Sequence, residues 1–190
     1  MKTLQTTIAI LLVSIFALSC SKDDEAISPE QNPLTGFLEQ TGFNQKELLR
    51  IDNPNFIEIG LAFIPLVNGK ITAVVVKLPV KKLDVRVTIW DKVTESVLWT
   101  ETIDITTANA EITKAITPLS LTKDKEYIIS FNVTDCFRRR NTAGLEVAYP
   151  FTIGDIKITS FNYKGGSAQD MPTNTDSLEY LGDCSFKFQK

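Results

Sequence analysis

DVRVTIWDKVTESVLWTETIDI, residues 84–105, decides the fold. Val85, Val87 and Ile89 fall on one side of a period-two pattern, and Arg86, Thr88 and Trp90 fall on the other, as a half-buried strand requires. Asp91 to Glu95 supply turn chemistry, with the Asp91 side chain placed to cap the turn. Ser96 to Ile105 then form the partner strand. Trp90 and Asp91 point to opposite faces, so Trp90 is either core filler with its N–H satisfied or an exposed stacking platform.

The same grammar extends on both sides. IEIGLAF (57–63) alternates, and Asn68-Gly69 after it is a hairpin signal because both residues tolerate positive φ. ITAVVVKL (71–78) is nearly continuous and β-branched, which predicts a central strand. EITKAIT (111–117) alternates, and PLSLTKDKEYIISFNV (118–133) supplies a loop, a charged turn and a strand with Tyr127, Ile129 and Phe131 on one face. GLEVAYPF (144–151) and DIKITSFNY (155–163) follow, separated at Gly154-Asp155. CSFKF (184–188) closes the chain. Helical periodicity is weak, with one helical turn over Gln45 to Arg50. The expected fold is therefore all-β, a single antiparallel β-sandwich of about nine strands with jelly-roll or immunoglobulin-like topology.

The start of the chain has another character. Lys2 precedes an apolar run from Ile8 to Leu18, about eleven residues against the roughly twenty of a membrane span. A charged start, a short apolar core and a small residue near its end describe a secretory signal. Ala17, Leu18, Ser19 and Cys20 resemble the lipobox of bacterial lipoproteins, and SKDDE after them looks like the export tag of Bacteroidetes surface lipoproteins. That resemblance implies cleavage before Cys20, a lipid on its thiol, and an outer-membrane location facing the exterior. More than one acyl chain gives durable anchoring. SKDDEAISPEQNPLT (21–35) is polar and aperiodic, so the expected organisation is a signal peptide over 1–19, a lipidated cysteine and flexible stalk over 20–35, and a β-sandwich domain over 36–190.

About 155 residues remain for that domain, enough for one proper core. The formal net charge is -3, which does not resemble the basic footprint of a nucleic-acid binder. The one dense basic run, Phe137-Arg138-Arg139-Arg140, reads as a solvated loop or an anion contact. The chain has no histidine, which removes Ser-His-Asp and Cys-His nucleophile pairs and histidine-bearing zinc sites. Two-carboxylate hydrolysis needs only Asp and Glu, so the residue inventory leaves it open. No catalytic residues stand out, and no enzyme activity is expected.

Cys136 and Cys184 are the two cysteines of the domain. In an exported protein they predict either a disulfide tying the final strand to an earlier one or two buried thiols acting as small hydrophobes. KGGSAQDMPTNTDSLEYLGD (164–183) is the longest irregular stretch. It is either a plain mobile loop or a functional one. Asp170, Asp176 and Asp183 within it are hard oxygen donors suited to calcium, the only cofactor candidate, although their spacing is not that of an EF-hand. Tyr163 and Tyr180 flank the stretch, and with Trp90 and Trp99 they are the aromatic candidates for stacking on a sugar.

Several segments in order resemble a bacterial family, a domain of unknown function found in surface and carbohydrate-associated proteins. They are Gly60-Leu61-Ala62-Phe63, Asn68-Gly69-Lys70-Ile71-Thr72, Val85 to Asp91, and Pro118 to Thr122 with Tyr127 and Ser130 in register. The tail YPFTIGDIKITSFNY and Leu181-Gly182-Asp183 fit the same pattern. The resemblance spans residues 57–190, and departs from the family where Asp124-Lys125 stands in place of a turn glycine. It implies a β-sandwich with a binding or adhesion role and brings no catalytic residues. The partners expected are the membrane, through the lipid, and a glycan or extracellular protein. The competing expectation is an accessory or structural subunit of an outer-membrane assembly.

Overall fold

The computed structural model describes residues 29–51 and 56–190; the signal segment, Cys20 and the stalk as far as residue 28 lie outside the described residues. Among the described residues one helix, α1 (Pro33–Thr41), precedes thirteen strands. These are β1 (Gln45–Arg50), β2 (Ile57–Pro65), β3 (Gly69–Lys77), β4 (Lys82–Asp91), β5 (Ser96–Ile105), β6 (Glu111–Leu121) and β7 (Tyr127–Val133), followed by β8 (Asp135–Arg140), β9 (Phe151–Ile153), β10 (Ile156–Gly165), β11 (Asn174–Asp176), β12 (Glu179–Leu181) and β13 (Asp183–Gln189). The chain is all-β and antiparallel, as the alternation predicts, but it is not a single nine-stranded sandwich. A seven-stranded sheet runs β11-β10-β2-β7-β4-β5 with β9 on β10. A three-stranded sheet runs β13-β3-β6, and a second three-stranded sheet runs β1-β8-β12.

The first two sheets face each other across a shared core, in a sandwich-like arrangement. Val85, Val87 and Ile89 of β4 lie in that core with Ile59, Leu61 and Phe63 of β2, Ile71, Val74 and Val76 of β3, and Phe186 and Phe188 of β13. The Phe63 and Phe186 rings meet at 4.4 Å between centroids. Such aromatic contacts dominate core energetics because each ring buries a large apolar area.

The β4–β5 hairpin forms as expected, with Asp91 opposite Ser96. Asp91 Oδ1 accepts the Val93 and Thr94 amide hydrogens and so caps the turn. Asn68-Gly69 does not close a hairpin. β2 pairs with β10 and β7 while β3 pairs with β13 and β6, so this turn carries the chain from one sheet to the other. The turn residues bend the chain, but burial of two apolar faces chooses the partners.

Four other expectations change. Gln45–Arg50 is a strand, β1, paired with β8, and not a helical turn. The run Arg138-Arg139-Arg140 belongs to strand β8, not to a loop, and alternation sends its side chains to different partners. Arg138 meets Glu47, Arg140 meets Glu179, and Arg139 turns the other way to Asp183. Of GLEVAYPF only Phe151 is in a strand, β9, hairpinned to β10 through Gly154 at φ 57. Finally, α1 begins inside the stretch expected to be stalk. Asn32 caps it by accepting the Leu34 amide at 3.2 Å, Pro33 opens it, and Gly42 at φ 66 ends it. Its Phe37 is fully buried against Phe43, Tyr149, Phe151 and Tyr180. Gln31 pairs with Phe188, tying the segment before α1 to β13.

Among the described residues no helix is long and apolar enough to cross a membrane.

Candidate functional site

The stretch 164–183 has two parts with different roles. Residues 166–172 form a strap over the outer face of the seven-stranded sheet. Arg86 donates to the Ser167 and Ala168 carbonyls at 3.1 and 2.9 Å, and Asn132 donates to the Gly166 carbonyl at 3.0 Å. The Gln169 amide donates to Thr88 and Thr100, and Met171 packs with Ala62, Trp90 and Ile128. Backbone carbonyls thus accept from both terminal nitrogens of a guanidinium and from an amide on this sheet face.

Under the strap lies a polar row. Glu58 is 1% exposed; its carboxylate accepts from Ser130 Oγ at 2.6 Å and from Arg86 Nη2 at 2.9 Å. Trp90 Nε1 donates to the same Ser130 hydroxyl at 2.8 Å. Burial holds the Glu58 carboxyl above the usual carboxylate range, against the bonds from Ser130 and Arg86 that lower it. Trp90, at 3% exposure, is core and not a platform.

The second part, the turn that carries the chain from β11 in the seven-stranded sheet to β12 beside β8, builds a groove. Asp176 Oδ1 accepts the Leu178 and Glu179 amide hydrogens, making the tight turn between the two strands. The Val147 amide donates to the Ser177 carbonyl, which fastens the 141–150 loop beside this turn. Three cavities open around this ridge, and Asp176 lines all of them. One of about 390 Å³ has Glu146, Tyr149, Thr159, Ser160, Thr175 and Ser177 in its wall. One of about 400 Å³ has Arg140, Asn141, Gly144, Leu178 and Glu179. One of about 230 Å³ has Ile57, Phe161, Tyr163, Glu179 and Leu181. Concave sites with a few convergent polar groups are where small ligands are held.

The sequence candidates distribute unevenly over this geometry. Tyr163 is half-buried, stacked on Phe161 at 6.1 Å, and lines the smallest cavity. Tyr180 is 1% exposed among Phe37, Phe43 and Phe161, so it is a core residue and not a sugar platform. Trp99 is partly buried against the main core, away from the groove's lining.

The three aspartates are not brought together as a calcium site. Asp170 pairs with Lys164, Asp176 caps its turn, and Asp183 forms a two-pronged ion pair with Arg139 at 2.7 and 2.8 Å. Among the described residues no group of three or more acidic or cysteine side chains converges as a metal would need. The separate paths of the strap and of the turn between β11 and β12, with Arg139 holding Asp183, keep the carboxylates apart. Sequence reasoning did not place Arg140, Asn141, Glu146 and Tyr149 together at a site. Pairing of β8 with β12 brings Arg140 there, and the bond from the Val147 amide to the Ser177 carbonyl fastens the loop that carries Glu146 and Tyr149.

Cys136 and Cys184 are free, buried thiols rather than a disulfide. Cys136 sits on β8 and Cys184 on β13, in different sheets. Burial pushes the Cys136 thiol up to about 12 and raises that of Cys184 further. Both should resist a thiol reagent in the native protein and react fully once unfolded without reductant. Failure to gain these two thiols on unfolding would mean that they are bonded.

No protein-family model matches the chain, and no curated protein matches it.

Proposed function

We propose that this chain is a non-catalytic binding module, tethered through a lipid on Cys20 to the outer membrane and facing the exterior. Its groove around the turn between β11 and β12 takes a glycan or an extracellular protein. The observation that carries this reading is the set of three adjoining cavities sharing Asp176, with an aromatic ring, hydroxyls and an arginine in their walls. The absence of histidine from the sequence removes the commonest general base and supports a binding role over a catalytic one.

Of the two sandwich topologies, we read the immunoglobulin-like one as the closer. β3 and β6 pair in one sheet while β4, β5 and β7 pair in the other. Tyr127 at the start of β7 accepts the Thr122 amide through its hydroxyl at 2.9 Å. A tyrosine at that corner, bonded a few residues back, belongs to immunoglobulin-like sandwiches.

The test is the full-length chain, purified in mild detergent, on glycan and extracellular-matrix arrays. A saturable hit weakened by substitutions at Tyr163 or Asp176 is the expected result. The second reading, a subunit of an outer-membrane assembly, draws on exposed Val93, Val97 and Leu98 near the β4–β5 turn. Blank arrays together with stable co-purification of one membrane partner would replace the first reading by the second.

A further inference from the structure

Within the binding role just proposed, and resting on it, the lining of the groove sorts ligands by charge. Its charge is net acidic, with Glu146, Asp176 and Glu179 set against Arg140. Asp176 commits Oδ1 to two backbone amides, and its Oδ2 makes no hydrogen bond to the described residues. Glu179 commits Oε2 to both Arg140 Nε and Nη2, and its Oε1 is likewise unengaged. Both carboxylates line the two cavities of about 400 and 230 Å³. The hydroxyls of Thr175 and Ser177, which can donate or accept, face the third cavity beside Glu146.

Among the described residues Arg140 is the one cation of the lining, and its charge is offset by Glu179, whose Oε2 accepts from Arg140 Nε and Nη2 at 3.1 and 2.9 Å; Arg138 approaches the same oxygen at 3.9 Å. A sulfate, uronate or sialate would meet the Asp176 and Glu146 carboxylates with only this already paired guanidinium to offset them. Like-charge juxtaposition of this kind rejects the wrong partner more strongly than attraction selects the right one. Sugar hydroxyls and protonated amines are donors, which is what free carboxylate oxygens accept. Tyr163, braced by buried Phe161, supplies the flat apolar face against which a pyranose ring packs, beside Ile57 and Leu181.

We propose that the groove binds a neutral or amine-bearing saccharide, stacked on Tyr163 and hydrogen-bonded to Asp176 Oδ2 and Glu179 Oε1, and that it excludes anionic glycans.

The full-length chain in mild detergent is titrated with neutral chito-oligosaccharides, de-acetylated chitosan oligomers, heparin fragments and oligogalacturonate. Neutral or amine-bearing oligomers are expected to bind and the two polyanions to fail. Tyr163→Leu, which keeps an apolar side chain without the ring, should weaken binding about tenfold. Asp176→Asn keeps an oxygen to cap the turn and should leave the unfolding midpoint in place. It should weaken the amine-bearing oligomer more than the neutral one and narrow the discrimination against heparin fragments. Preferential binding of either polyanion overturns this inference while leaving a glycan-binding role intact. Binding of the uncharged oligomers that neither substitution alters places the saccharide elsewhere and overturns it too. No binding by any of the four, with hits on other array glycans, removes the inference alone; arrays blank throughout remove the parent reading with it.

Discussion

Arg86→Met is expected to destabilise the protein by about 3–5 kcal/mol, because it leaves a carboxylate buried without its cation. Glu58 has a side chain 2% exposed and faces Arg86 Nη2 at 2.9 Å. The same substitution strips the donors from the Ser167 and Ala168 carbonyls, so the strap should loosen as the core weakens. The pH dependence has a defined sign. The folded-state pKa of Glu58 is raised, chiefly by burial, so its contribution is most favourable at acid pH and is lost as pH rises through that value. Without Arg86 two of the interactions that lower the value disappear and the shift grows. The deficit of Arg86→Met should therefore be largest near neutral pH and shrink under mildly acidic conditions, where Glu58 takes a proton. Urea midpoints at the two pH values measure this, and a deficit that grows on acidification contradicts it.

The double replacement Glu58→Leu with Arg86→Met should recover most of the loss, since burying an ion pair is costly and removing both charges cancels that cost. Arg86 Nε is itself buried without a partner among the described residues, so the native pair is not ideally solvated by the protein. If the double variant is as unstable as the two single variants added together, the two side chains are uncoupled and the argument fails.

Trp90→Ala should cost a comparable about 3–5 kcal/mol, from lost burial plus the cavity left beneath the strap. The indole fills the space between Ala62, Ile128 and Met171 and donates to Ser130. Trp90→Phe retains most of the apolar volume and loses mainly the hydrogen bond, so about 1–2 kcal/mol is expected. Amide exchange should separate the two: Trp90→Ala should expose the amides of residues 166–172 well before global unfolding, and Trp90→Phe should not. A Trp90→Ala protein of native stability that has lost its ligand would instead make Trp90 a binding platform. Because Trp90, Ser130, Glu58 and Arg86 share one chain of hydrogen bonds, the effects of these substitutions should not simply add.

The turn before β7 takes a left-handed residue without using glycine. Asp124 adopts φ 62, a left-handed conformation that aspartate tolerates better than most residues. The next residue, Lys125, reaches Asp91 Oδ2 at 2.6 Å across the hairpin end. That hydrogen bond and the two turn amides hold the Asp91 carboxyl below the usual carboxylate range. Asp124-Lys125 thus adds an ion pair between two turns on a backbone that a glycine would also allow.

Period-two alternation was sufficient to place β2, β4, β5, β7, β10 and β13, and the apolar run of β3 to place it at the centre of its sheet. These strands carry their burial in their own side chains. The turn capped by Asp91 and the hairpin at Gly154 were equally legible, because turn chemistry is local. β1, β8, β11 and β12 were not, since they are short or rich in charge. Arg138 to Arg140 read as a solvated loop until strands on either side supplied Glu47, Glu179 and Asp183. The groove was half legible: Tyr163 and Asp176 stood out as residue types, but Arg140 came to it through pairing of β8 with β12, and Tyr149 lies on the loop that the Val147–Ser177 bond fastens beside it. The sequence by itself determined the strand grammar and the all-β class, each written in consecutive residues. Tertiary structure alone decided which sheet each strand joins, that Trp90 and Tyr180 are core, that the cysteines stay free, and that the carboxylates of 164–183 part company. Those outcomes depend on contacts between residues far apart in the chain, where burial competes with charge pairing and local pattern carries no information about the partner.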